Sequence, residues 1–176
     1  MRGLLATVML LALLATGIAR NAQWHDDGTI WGDSLTKSPG KARGYNEIGL
    51  HLLDQGMYQE AYRILSRSVQ LDPYQPAVYV NLGLAYERLG QPENARATYE
   101  RAISYNPYDP NSFYNLGVLH YTTFKDPDKA FGYFLQARDL NPLEPDVHQF
   151  LGQIYAERGD HARAAEEWRL YGQLKH

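Results

Sequence analysis

The chain has 176 residues, 44% of them apolar and 21% charged, with a formal net charge of −3. That length suits one domain of ordinary size plus a short addressing segment, and that balance describes a folded chain rather than a disordered one. The charge argues against a basic surface for nucleic acid or anionic lipid, and the lack of cysteine excludes disulfides, thiolate nucleophiles and thiolate metal sites.

Residues 1–20, "MRGLLATVMLLALLATGIAR", place Arg2 before an uncharged run from Gly3 to Ala19 and Arg20 after it. The run falls between two categories, since a signal-peptide core has about 7–15 apolar residues and a spanning helix about 17–25. Gly17 and Ala19 are small enough for cleavage after Ala19, and Arg2 favours an amino end held in the cytoplasm with the remainder exported. Both an exported, cleaved chain and an anchor retained over residues 3–19 follow from this segment.

In residues 21–41, Trp24, the Asp27–Gly28 pair, Trp31 and Leu35 recur at the interval of one helix face. Gly28 and Gly32 weaken helix propensity, which tertiary packing overrides in many helices.

From residue 42 the chain repeats. Pro39, Pro73, Pro107 and Pro142 follow polar lead-ins at spacings of 34, 34 and 35 residues, dividing the sequence into units 42–75, 76–109, 110–144 and 145–176. The first unit has Tyr45, Ile48, Gly49 and Leu52, then Ala61, Leu65 and Ser68. The second has Tyr79, Leu82, Gly83 and Tyr86, then Ala95, Tyr99 and Ala102. The third has Phe113, Leu116, Gly117 and His120, then Ala130, Phe134 and Ala137; its extra residue lies in "TFKDPDK". The fourth has His148, Leu151, Gly152 and Tyr155, then Ala164, Trp168 and Tyr171. Apolar residues at i, i+3, i+4 and i+7 give each predicted helix one buried stripe, while the small residues let paired helices approach.

This aromatic, Leu-Gly, Tyr, Ala, Phe, Pro pattern at a period of 34 resembles the tetratricopeptide repeat. The resemblance implies an all-α solenoid, a right-handed superhelix of helix-turn-helix units with a curved groove, preceded here by an N-terminal apolar helix. In that frame Trp31 takes the aromatic slot of a second helix and Ser34 the small slot. Residues 21–41 are then expected to form a degenerate half-repeat that caps the stack, which favours a retained anchor.

Family geometry puts positions 2, 5, 6, 9, 12 and 13 of each unit on the concave face. The partner-binding groove is therefore expected to include Arg43 and Asn46 of the first unit and Asn81, Leu84 and Arg88 of the second. Asn111, Tyr114 and Asn115 of the third and Phe150 of the fourth complete it. Chaperone-binding members clamp a terminal carboxylate with lysines, arginines and asparagines. Only Asn81 fits that scheme, so a dicarboxylate clamp is not expected. Asn81 and Asn115 stand at equivalent positions with Asn46 one residue out of register, resembling the asparagine ladder of the O-linked N-acetylglucosamine transferase solenoid. An amide donates and accepts, so such a ladder pairs with peptide backbone of any sequence; hydrogen bonding between repeats is the other reading. Tyr114, Tyr121 and Phe150 offer an aromatic patch to a peptide or pack between units.

No catalytic constellation is present. The six histidines have no metal-ligand spacing, and His120 and His148 sit where aromatics pack, so both are expected in the core. Glu166 and Glu167 are read as helix-surface charges, and each glycine belongs to the repeat or a turn. No cofactor, metal or nucleic acid is expected.

The stretch from Leu4 into the first repeat also resembles the exit from the last membrane helix in tetratricopeptide-bearing, mannosyltransferase-like membrane proteins. The sequence thus points to a non-catalytic scaffold on the non-cytoplasmic side, binding a protein or peptide partner and tethered through residues 3–19 if these are not cleaved. An accessory module of a membrane glycosyltransferase, presenting acceptor protein, is the alternative. Leu170 and Leu174 leave a face of the last repeat for self-association.

Overall fold

A computed structural model of the chain describes residues 42–175. Among these, eight helices follow one another: α1 Ala42–Asp54, α2 Tyr58–Leu71, α3 Pro76–Arg88, α4 Pro92–Tyr105, α5 Pro110–Thr122, α6 Pro127–Leu140, α7 Pro145–Glu157 and α8 His161–Leu174. Each repeat unit contains two of them. The apolar segment 1–20 and the half-repeat over 21–41 lie outside the described residues. No helix among the described residues is long and apolar enough to cross a membrane.

Local chemistry sets the helix ends. Pro76, Pro92, Pro110, Pro127 and Pro145 occupy the first turn, where a missing N–H forfeits no helical bond. The side chains of Asp109, Asp126 and Asp160 accept from the N–H of Ser112, Lys129 and Arg163, capping α5, α6 and α8. Between units, Asp72, Asn106 and Asn141 accept from the N–H two residues on, fixing the same turn three times.

Within units the chain reverses through Gly56, Gly90 and Gly159 at φ of 75°, 71° and 75°. The third unit has no glycine there; Lys125 takes φ 54° within the one-residue insertion. The insertion preserves the reversal, because the Asp126 N–H still donates to the carbonyl of His120 as Gln91 does to Tyr86.

Helices pair closely inside each unit because a glycine faces a large side chain. Gly49 lies against Leu65, Gly83 against Tyr99, Gly117 against Phe134 and Gly152 against Trp168. A Cβ on Gly117 would stand 2.6 Å from the Phe134 ring, and one on Gly152 would stand 2.5 Å from the Trp168 indole. Ala61, Ala95, Ala130 and Ala164 are fully buried beside these contacts. Each second helix then packs on the next first helix, and α1 touches α3 as α3 touches α5, so the core runs continuously along the stack. Burying a side chain such as Leu65, Leu116 or Leu151 contributes about 1.5–3 kcal/mol.

Candidate concave binding site

The first helices α1, α3, α5 and α7 meet through positions five and six of successive units, and the chemistry of those meetings changes along the stack. Between the first and second units, the amide of Asn81 donates to the Asn46 carbonyl oxygen at 2.9 Å. Between the second and third, the same positions hold Val80 and Asn115. Between the third and fourth they hold Tyr114 and Phe150, whose ring centres lie 6.2 Å apart.

The asparagines therefore divide. Asn46 and Asn81 bond to each other across the repeat boundary, the inter-repeat role, even though sequence numbering puts them one position out of register. Asn115 is half-buried and Asn111 exposed. Position nine adds an apolar row of Leu50, Leu84 and Val118, with Leu50 40% exposed. Arg43 is exposed and reaches Glu47 only at 3.9 Å. Arg88 lies 6.0 Å over the ring of Tyr58, at the turn edge of the first unit.

The aromatic patch is part packing and part surface. Phe150 stacks on the buried Phe134 at 4.8 Å with planes 7° apart. Tyr114 sits edgewise to Phe150, and Tyr121 does so from the other side at 5.7 Å. The Tyr121 hydroxyl donates to Glu157 at 2.5 Å, joining α5 to α7, and Gln153 donates to the same carboxylate oxygen at 3.0 Å. These bonds hold the Glu157 carboxyl below its ordinary range. Burial, with Asp146 and Glu144 nearby, pushes the Tyr114 phenol up to about 12. Burial and the bond to Glu157 raise Tyr121 to about 12. In the second unit, the Tyr99 hydroxyl donates to Glu87 at 2.6 Å, while burial raises the Glu87 pKa.

Both marker-position histidines are in the core, 5% exposed for His120 and 2% for His148. The ring of His120 packs on Phe124 and Tyr133; its Nδ1 has no hydrogen-bond partner among the described residues. Burial lowers its pKa, so the ring is neutral near pH 7. His148 is different: its Nε2 faces the Pro142 carbonyl at 2.9 Å and its Nδ1 faces Glu167 at 2.6 Å.

That contact overturns the surface reading of Glu167. The residue is 7% exposed and also lies 3.4 Å from Arg138 of the preceding unit. Glu166 beside it is exposed and pairs with Arg169, as a surface charge does. A signal was present in the sequence: histidine stands in an aromatic slot of one helix while glutamate stands among Ile64, Thr98 and Tyr133 in the matching slot of the other.

A model of the tetratricopeptide repeat matches residues 52–116, and a second such model matches residues 124–170; together they take in more than half of the chain. The chain belongs to the tetratricopeptide repeat family. Among curated relatives, protein O-mannosyl-transferase Tmtc2 of Drosophila melanogaster is 29% identical over 75 residues, which is 43% of this chain and 8% of that protein. The chain thus spans a small part of that relative's length. Among solved structures, MamA superposes with a TM-score of 0.73 at 21% identity, covering 89% of this chain and 92% of that one. A MamA chain from Desulfovibrio magneticus RS-1 gives 0.72 at 22% identity, covering 89% and 88%. A chain of the APC/C hetero-tetramer Cut9–Hcn1 gives 0.74 at 20% identity, covering 83% and 28%. At these identities the likeness is one of fold.

Proposed function

We propose that this protein is a non-catalytic interaction scaffold that binds an extended segment of a partner protein along its concave face. The observation that carries this reading is the change of surface along one row of first helices. That row offers the paired amides of Asn46 and Asn81, the half-buried amide of Asn115, the apolar row at Leu50, Leu84 and Val118, and the rings of Tyr114 and Phe150. An amide able to pair with backbone, as at Asn115, beside apolar side chains is the chemistry that holds an extended peptide. The family supports the same reading. The uncharged run of residues 3–19 between Arg2 and Arg20 supports repeats on the non-cytoplasmic side, tethered through that run or released by cleavage after Ala19.

A photo-crosslinking residue placed at Leu84 tests the groove. Cross-linking to a discrete protein from Leu84 but not from Ala97, exposed on the outer helix α4, supports it. Equal labelling from both positions refutes a concave site.

A second reading is favoured by the similarity to an O-mannosyl-transferase. In it the chain presents acceptor protein to a membrane glycosyltransferase as an accessory module. Co-purification of the full chain with such an enzyme, lost on substitution of Leu84 by Glu, supports it; recovery without any glycosyltransferase removes it.

A further inference from the structure

The groove is charged at one end in a way the fold does not require. Over the third and fourth units the charged side chains at its concave positions are Asp146, on which Lys175 acts, and Glu157, whereas the first two units mix Arg43 and Arg88 with Glu47, Asp54 and Glu87. Glu157 is exposed and takes both of its hydrogen bonds, from Tyr121 and Gln153, on one oxygen, Oε1. Its other oxygen faces no donor among the described residues. The bonds it accepts favour its ionised form, so a full negative charge stands at the edge of the Tyr121 ring. At the opposite end of α7, Asp146 and Glu144 act on Tyr114. Phe150 lies between the two tyrosines with one face closed by Phe134.

Aromatic faces flanked by carboxylates attract cations, because the ring quadrupole and the carboxylate add in a partly desolvated place. A planar guanidinium uses both: it stacks on a ring and donates to a carboxylate in its own plane. Resting on the groove reading above, we infer that the Tyr121–Phe150–Glu157 cluster is a subsite for an arginine side chain of an extended partner segment. Charge complementarity selects this occupant. An acidic or terminal-carboxylate segment meets Glu157, Asp146 and Glu144 head on, and a purely apolar segment leaves Glu157 unanswered.

The test uses the purified full chain and three labelled peptides of Gly and Ser that differ only at two positions, bearing arginine, citrulline or glutamate. Citrulline keeps the shape and removes the charge. Fluorescence anisotropy is expected to show the arginine peptide binding at least about tenfold more tightly than the citrulline peptide. Glu157→Gln, which is isosteric, is expected to erase most of that difference and the dependence on salt. Glu93→Gln, on the outer helix α4, is expected to leave it intact. Tyr121→Leu is expected to act as Glu157→Gln does, with thermal denaturation confirming that the variant remains folded.

Equal affinity for arginine and citrulline peptides overturns the arginine subsite while leaving a groove that binds peptide. An equal effect of Glu93→Gln reduces it to general charge attraction and also overturns it. Binding of none of the peptides overturns the subsite, and cross-linking from Leu84 then decides the groove by itself.

Discussion

The imidazole of His148 and the carboxylate of Glu167 meet at 2.6 Å in the core of the last repeat, at two positions where the other units hold Tyr45 with Ile64, Tyr79 with Thr98, and Phe113 with Tyr133. Where the other units hold apolar or weakly polar residues, the last unit holds an ionisable pair, tied on one side to the Pro142 carbonyl and on the other to Arg138. Each member makes sense only with its partner, because a lone buried carboxylate or imidazole is costly.

Removing one member is therefore expected to be worse than removing both. Glu167→Ala should lower stability by about 1–3 kcal/mol, the usual cost of leaving a buried polar group without its hydrogen-bond partner. The double replacement His148→Tyr with Glu167→Ile, which restores the pairing of the first unit, should recover most of that loss. Urea denaturation of the wild-type chain and the two variants checks this; a double variant as weak as the single one would show that the pair is not the source of the loss.

The glycines are expected to separate by environment. Gly83 faces the Tyr99 ring so closely that an added methyl has nowhere to go, and Gly83→Ala should cost about 1–3 kcal/mol through overpacking. Gly132, inside α6, has nothing within 4 Å of an added Cβ. Gly132→Ala should raise stability by about 0.5–1 kcal/mol by reducing backbone freedom in the unfolded chain. The order of the two midpoints in denaturant is the readout.

Alkaline pH should unfold the stack from its tyrosines. The folded pKa of Tyr114 and of Tyr121 is raised to about 12 from an ordinary value of 10.0. A raised folded pKa means a contribution fully present below pH 10 and lost as pH rises towards 12, since the unfolded chain releases those protons first. Stability measured at stepped pH is expected to fall across that window, and less steeply in the variant carrying Tyr114→Phe and Tyr121→Phe. Phenolate absorbance should show two late-titrating groups fewer in that variant.

The asparagines should respond differently. Asn81→Ala strands the Asn46 amide and is expected to lower stability by about 1 kcal/mol as well as weaken partner binding. Asn115→Ala should weaken binding with little change in stability, because its side chain has no hydrogen-bond partner among the described residues to lose. The two together should weaken binding more than Arg43→Ala, whose side chain stands in solvent. Binding measured beside thermal denaturation separates the effects.

Much of this molecule was legible in the chain. A period of 34 with glycine, alanine and large aromatics in fixed slots announced paired helices that approach closely, and the proline positions announced where helices begin. Such features depend on residues near in sequence, so spacing alone encodes them. The insertion in "TFKDPDK" was visible too, but not that Lys125 would take the left-handed turn which glycine takes in the other units.

What spacing could not encode is which polar side chains find each other across units. Asn46 with Asn81, Tyr121 with Glu157, and Glu167 with Arg138 are 29 to 36 residues apart, and their meeting depends on how one unit rotates onto the next. Position along the chain left Asn46 out of register and Glu167 a surface charge, since the contact of Glu167 with His148 inside its own unit is set by how the two helices face each other. The sequence by itself determined the unit: its two helices, their buried stripes and the small residues between them, all set by local periodicity. The tertiary structure decided the joints between units, because a hydrogen bond is satisfied by distance and direction in space, which no position along the chain specifies.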